Sequence, residues 1–364
     1  MEIKELLKSV ERNNASDLHI TPNTPPIIRV NGSLIKVGEK PLSADETKRL
    51  LYSIITDEQK IELEKNLEID FSISIEHNKR FRVNIYHTHG GLAAVLRDIP
   101  TKIPTLHEIF APQIFYNLTE LPKGLILVTG ATGEGKSTTQ AAMLDFMNET
   151  TTRKIITIED PIEFVYQNKK SLITQREVGT HTNSFANALR SSLREDPDVI
   201  FIGELRDLKT AEMALMAAET GHLVISTLHT ASASEAVDRI INMFPLGNRD
   251  IIRQMLASSI EAIISQKLLI RKDERGRVAA FELLMGTTAV RNVITEGKTV
   301  QLESLLQTGS RFGMQSMKDA IKRLFEEGII DEKTMKKALA SSKDAVKLSD
   351  NSSPIEDAGG ASDF

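Results

Sequence analysis

Through the first hundred residues the apolar positions change spacing several times, and each change marks an element. A charged amphipathic stretch over about 3–13 predicts a helix. Short strand-like runs follow in "PPIIRVNG" and "LIKVG", and a second helix is expected over about 43–65. "IDFSISIE", "RFRVNIYHTHG" and "LAAVLRDIP" then alternate apolar and polar residues between turn residues, the pattern of half-buried strands. Residues 1–100 therefore predict a small α+β domain with a mainly antiparallel sheet. Pro100, Pro104, Pro112 and Pro122 crowd the next stretch, so a linker is expected over 101–122.

From residue 123 the texture differs. "GLILVTG", "KIITIED", "DVIFIGE" and "HLVISTLHT" are short apolar runs, as parallel strands covered on both faces require. Helical spacing lies between them, in Phe185, Ala188, Leu189, Ser192 and Leu193 and again in Val237, Ile240, Ile241 and Phe244. An α/β domain with a parallel core is expected over 123–340, and 251–340 reads as mostly helical, with Met317, Ala320, Ile321 and Leu324 on one face. The Ser/Asp/Gly-rich end, 341–364, reads as disordered. No internal repeat is visible.

Composition narrows the classes. A chain of 364 residues exceeds one compact core, in keeping with two domains. Its net charge of -5 excludes a general nucleic-acid or membrane-surface binder, so any basic surface is local. With no cysteine there is neither a disulfide scaffold nor a cysteine-ligated zinc site. The N-terminus has no apolar signal core, and no run approaches the roughly 18 apolar residues of a membrane span. The expected location is the cytoplasm, with any membrane role passing through a partner.

Four segments carry chemistry. "GATGEGKS" (130–137) fits G-x-x-x-x-G-K-[ST] directly between a strand and a helix. Gly130, Gly133 and Gly135 let the backbone curl so that successive N–H groups face a phosphate. Lys136 reaches β- and γ-phosphates, the Ser137 hydroxyl ligates magnesium, and the helix N-terminus adds positive dipole. Glu134, uncomfortable beside phosphates, is expected to point to solvent. "TIEDPIEF" (157–164) puts Glu159, Asp160 and Glu163 after the second strand, either on the ligand edge of a parallel sheet or in a loop where Asp160 caps a helix starting at Pro161.

"DPDVIFIGELRD" (196–207) has Gly203 where a magnesium-binding aspartate is usual, and its acid follows as Glu204, placed to take a proton from attacking water. "TGHLVISTLHT" (220–230) brackets a strand with His222 and His229. Such histidines are more often structural than catalytic, but His229, at the strand's C-terminal end, is the better placed to sense a γ-phosphate.

Together the four segments resemble the secretion-type ring ATPases, and within them the type IV pilus retraction subgroup. The first matches the Walker A segment and "IEDPIE" the acidic box. "DVIFIGELRD" matches the Walker B segment, in which glycine followed by a catalytic glutamate is common, and "TGHLVISTLHT" the histidine box. "ASDLHI" (15–20), "PPIIRVNG" (25–32), "QREVG" (175–179) and "LREDPD" (193–198) also fit, and "AVRNVI" (289–294) resembles the AIRNLI signature with Val290 and Val293 as departures.

The resemblance implies a RecA-like P-loop ATPase domain with a parallel-core sheet behind a small PAS-like α+β domain. It implies ATP and Mg2+, with Gly130, Ala131, Thr132, Gly133, Glu134, Gly135, Lys136, Ser137 and Thr138 around the phosphates. Glu204 would be the base and Glu163 would support the magnesium–water cluster, with His229 and His222 in the histidine box. It further implies a homohexamer in which Arg82 and Arg97, with Arg80 a weaker candidate, reach a neighbour's phosphates, while Arg239 is structural or at a subunit contact. Partners would be an inner-membrane pilus platform protein at the pilus base, on the cytoplasmic face of that membrane, and a PilU-type paralogue. The activity implied is pilus retraction and twitching motility, with "AVRNVI" coupling hydrolysis to retraction or simply packing as a helix.

Alternatives are an accessory retraction ATPase and an assembly or secretion ATPase. The last two types commonly carry a four-cysteine zinc insert, which a cysteine-free chain lacks. A nucleic-acid motor would need a basic groove bearing aromatics, against which the 5% aromatic content and absence of tryptophan argue.

Overall fold

Each texture folds around its own sheet. The computed structural model describes residues 2–340 apart from 14, 31, 76–78, 100, 101, 274 and 275. Pro100 and the tail expected to be disordered, 341–364, lie outside the described residues. The chain clusters into two units, one of residues 1–103 with 159–168 and 175–184, the other of 104–158, 169–174 and everything from Phe185 onward.

The first unit opens with α1 (Ile3–Arg12), β1 (Asp17–Ile20), β2 (Ile27–Val30) and β3 (Ser33–Lys36). α2 (Ala44–Tyr52) and α3 (Asp57–Asn66) precede a meander of β4 (Glu68–Ile75), β5 (Lys79–Thr88) and β6 (Gly91–Ile99). The strands order as β3-β2-β1-β6-β5-β4, every pair antiparallel. Strand alternation sorts the faces. Leu18, Ile20, Phe81, Val83, Ile85 and Leu96 enter a core with Leu6, Leu7 and Val10 of α1 and Leu50 and Leu51 of α2. Asp17, Arg82 and Arg97 are thereby left on the other face.

The single helix expected over 43–65 is two. Thr56 accepts the N–H of Gln59 while the Gln59 side chain accepts that of Thr56, a capping box that starts α3, and Ser43 with Glu46 does the same for α2.

In the second unit, α4 (Ile114–Glu120) lies within the proline-rich stretch read as linker, with Phe115 and Leu118 buried. Then come β7 (Gly124–Thr129), α5 (Lys136–Thr150), β8 (Lys154–Glu159), β9 (Leu172–Glu177), α6 (Phe185–Ser192) and β10 (Val199–Ile202). α7 (Leu208–Glu219), β11 (Leu223–Leu228), α8 (Ala233–Asn242) and α9 (Arg249–Ser259) follow. β12 (Ile260–Ile270) and β13 (Arg277–Met285) form a hairpin before α10 (Thr288–Thr295), α11 (Leu302–Thr308), α12 (Met317–Glu326) and α13 (Glu332–Ala340). The sheet order is β13-β12-β7-β11-β10-β8-β9, with β12, β7, β11, β10 and β8 mutually parallel and β13 antiparallel at the edge. This is the expected α/β domain with a parallel core.

The hairpin corrects the reading of 251–340 as mostly helical. "IEAIISQKLLI" is a short apolar run whose periodicity suits a buried strand as well as a helix, and here pairing with β7 decides.

Candidate active site

The phosphate loop starts where β7, buried along its whole length, ends at Thr129. Gly130, Gly133 and Gly135 take φ values of 148°, 82° and 81°, the half of backbone space that glycine enters at little cost. Gly130 also has no room for a side chain, because a Cβ there would lie 2.7 Å from the Gln266 carbonyl oxygen. Gly135 is the N-cap of α5, so the helix begins at Lys136 and its free N–H groups face the loop. Lys136 is buried, and its Nζ donates to the carbonyls of Gly130 (2.7 Å) and Ala131 (3.1 Å).

Glu134 corrects its expectation. Its carboxylate does not turn to solvent but accepts the backbone N–H of Leu268 on β12, and its own carbonyl accepts from the Gln266 side chain. The acid thus anchors the loop, and its charge is spent on a backbone donor rather than facing phosphate.

At the end of β10, Gly203 donates its N–H to Ile158 (2.8 Å) and accepts the Thr227 hydroxyl (2.6 Å). Glu204 leaves the strand there, at the same C-terminal edge as the loop. One carboxylate oxygen accepts Arg206 Nε (2.8 Å), and the other lies 3.4 Å from His229 Nε2. His229 Nδ1 lies 3.3 Å from the Thr132 hydroxyl and 3.4 Å from Lys136 Nζ. An ammonium can only donate, so Nδ1 is the acceptor and the ring proton sits on Nε2, facing Glu204. One imidazole therefore connects the acid to the phosphate loop.

His222 does not join this group. It lies before β11, level with Gly124 rather than Thr129, and its Nδ1 meets the Ala217 carbonyl (3.0 Å). Seven residues of strand at about 3.3 Å each separate it from His229 by about 23 Å. It ties the end of α7 to the start of β11 and is not brought together with Glu204 and His229.

Glu163, Arg80, Arg82 and Arg97 belong to the first unit. No helix follows Pro161, so Asp160 is not a helix cap; the segment is held by carboxylates instead. Glu159 is buried and accepts the Gln175 side chain (3.2 Å) and the Glu163 N–H (3.4 Å), while the Glu163 side chain is exposed. Glu177 accepts the Ile162 N–H (3.0 Å), the Thr180 hydroxyl (3.1 Å) and Arg80 Nη2 (2.6 Å). Arg80 is thus committed to a buried ion pair and is not poised as a finger. Arg82 and Arg97, by contrast, face each other across β5 and β6, both exposed, with Arg97 Nε on Asp17 Oδ1 (2.8 Å). Arg239 is exposed on α8.

Residues 1–337 match the family described as type II/IV secretion system protein. The chain belongs to that family. A type IV pilus retractation ATPase, PilT, of Pseudomonas aeruginosa is 48% identical over 330 residues, covering 91% of this chain and 96% of that protein. A twitching motility protein of Neisseria gonorrhoeae is 51% identical over 305 residues, 84% of this chain and 82% of the relative. Among solved structures, that of the pilus retraction motor PilT with bound ADP superposes with a TM-score of 0.87 at 44% identity, covering 93% of this chain and 97% of that one.

In this secretion-family chain several supporting residues escaped the sequence reading. Ser265 accepts the Thr129 hydroxyl (2.8 Å), Gln266 and Leu268 hold Glu134, and Arg277 reaches the Gly133 carbonyl (3.4 Å). Glu282 on β13 accepts the Ala233 N–H (2.9 Å) and so fixes the start of α8, just beyond His229. All sit on the hairpin read as helix, so recognising the strand would have exposed them. "AVRNVI" packs as α10, with Val290 and Ile294 buried. Its Arg291 donates to Ala257 and Ser258 (both 2.7 Å), Gly286 (2.8 Å) and Glu261 (2.9 Å), clamping the α9–β12 junction.

Proposed function

We propose that this chain is the ATP-hydrolysing subunit of a homohexameric motor that powers type IV pilus retraction. The observation that carries the reading is the connected set at one sheet edge, with Glu204 linked through His229 to Lys136 and Thr132 of the phosphate loop. ATP phosphates take the loop N–H groups and the Lys136 ammonium, which gives up its hold on the Gly130 and Ala131 carbonyls. Glu204 accepts a proton from the attacking water as its oxygen bonds to the γ-phosphorus and the bond to the ADP oxygen breaks. His229 Nε2–H orients the carboxylate and reports on the loop's occupancy.

No cluster of three or more His, Cys, Asp or Glu that could hold a metal exists among the described residues. That suits Mg2+, which keeps several waters and binds chiefly through substrate phosphates. Ser137 would hold it through its hydroxyl. Bound there, the ion neutralises charge developing on the phosphates.

The exposed Arg82–Arg97 pair supports a shared site. Like charges directly opposite on neighbouring strands are disfavoured unless an anion meets them. Of the pair, Asp17 meets Arg97 alone, which leaves Arg82 open to a further anion; a neighbour's nucleotide would be such an anion, and an arginine finger contributes about 10³–10⁵ in rate. Specific ATPase activity is therefore expected to fall steeply as the protein is diluted below ring assembly; a flat profile would sink the shared site. Among the described residues no helix is long and apolar enough to cross a membrane. The partners in this reading are a membrane platform protein, through which work on the pilus would pass, and a PilU-type paralogue. A deletion strain should carry pili that fail to retract, whereas bald cells would mark an assembly motor instead.

A further inference from the structure

Across four adjacent strands of the first unit, register lines up Arg29 on β2, Asp17 on β1, Arg97 on β6 and Arg82 on β5. The row holds three cations and one carboxylate, and the carboxylate is the buried member. The Asp17 side chain is 5% exposed, against 65% for Arg97. Asp17 Oδ2 accepts the Ser16 hydroxyl (2.7 Å), and Arg29 Nε stands 3.9 Å from it. Oδ1 is given to Arg97 Nε at 2.8 Å.

That arrangement is a poor way to gain stability. A pair whose cation is mostly in water contributes little, while sinking the carboxylate costs desolvation. Burial alone pushes the Asp17 carboxyl up; the Ser16 hydroxyl and the Arg97 guanidinium more than offset this and hold it below the usual carboxylate range. What the contact does fix is orientation. A guanidinium is a rigid planar fork of five N–H donors, so pinning Nε sets the plane of the other four. Among the described residues no partner takes the Arg97 Nη groups. Arg82, next in the row, is likewise exposed with no carboxylate on it among the described residues.

We propose that Asp17 is a positioning residue for Arg97, holding Nε so that the Nη edge is presented, already oriented, to a phosphate of the neighbouring subunit. The inference rests on the reading that Arg97 acts in trans. It adds that the arginine's orientation is set before the nucleotide arrives, by an acid from another strand of its own sheet.

The test uses the full-length chain, with ring size checked for each variant. Asp17→Ala is expected to lower kcat about tenfold with KM for ATP within about twofold, because ATP is held by the other subunit's loop. Asp17→Asn should recover most of that loss, since an amide oxygen still accepts from Nε. Asp17→Glu, which keeps the charge but moves the oxygens by one methylene, should not. Asp17→Ala added to Arg97→Ala should cost nothing further, the mark of two residues acting as one unit.

Mixing Asp17→Ala with Glu204→Ala subunits should restore activity above either parent, because each supplies what the other's site lacks. The idea is overturned if Asp17→Glu turns over normally, or if Asp17→Ala costs the same factor with and without Arg97. If Arg97→Ala itself leaves kcat intact, the in-trans reading fails and Asp17 falls with it. If Arg97→Ala is impaired while Asp17→Ala is not, only the positioning role fails.

Discussion

Glu204→Gln should bind ATP with nearly unchanged affinity and yet lose steady-state turnover by about 10²–10⁴-fold, the usual contribution of a positioned general base. The substitution keeps size, and although its single amide oxygen can serve only one of the two donors now on separate carboxylate oxygens, His229 Nε2–H and Arg206 Nε, the phosphate loop's own contacts are untouched. What disappears is the ability to accept a proton. The position before Glu204 is Gly203 rather than a second acid that could take over, and its N–H and carbonyl are already committed to Ile158 and Thr227. Steady-state kcat and equilibrium binding of a fluorescent ATP analogue separate the two effects. Hydrolysis within about tenfold of the unmodified protein would remove Glu204 from this role.

The second large effect is expected at Gly130. Gly130→Ala places a methyl 2.7 Å from a backbone oxygen of β12 and demands φ 148° of an L-residue. Neither stress can be relieved cheaply, since the opposing atom is main chain in a paired, buried strand. A loss on the order of 2–4 kcal/mol in stability is expected, or escape by displacing the loop and abolishing nucleotide binding. Gly133→Ala is the internal comparison: φ is 82° but nothing lies within 4 Å, so only backbone strain of about 1–2 kcal/mol applies. Thermal unfolding and nucleotide affinity of the two variants should differ clearly. Equal losses would mean that the β12 carbonyl does not constrain the loop.

Much of this site was legible from residue order alone. Spacing of glycines and lysine between an apolar run and a helical pattern located the loop, and the acid after "VIFIG" located Glu204, because strand ends in a parallel sheet are fixed by sequence-local signals. The capping boxes Ser43–Glu46 and Thr56–Gln59 were also visible as S-x-x-E and T-x-x-Q, and reading them would have divided the helix expected over 43–65.

What stayed hidden depends on which strands become neighbours. Nothing local says that β12 pairs with β7, so neither the N–H that captures Glu134 nor the carbonyl that forbids a side chain at Gly130 could be foreseen. The two histidines show the intermediate case. Seven residues apart across one strand, they had to fall at opposite ends, and the expected parallel core already put His229 at the loop's end, while pairing with β7 supplies the register. Arg80 and Arg97 differ for a similar reason: they lie on neighbouring strands of the first sheet, but Glu177 and Asp17, distant in sequence, decide that one is buried in a pair and the other held at the surface.

β12 has one more property. Gln266 and Leu268 grip the phosphate loop, while Leu269, the very next residue, belongs to one core cluster with Ala320, Ile321 and Leu324 of α12, Ile330 of the following turn and Ala338 of α13. A strand is stiff along its length, so two clients attached within four residues cannot shift independently. The phosphate loop and the packing of α12 and α13 therefore depend on one and the same strand.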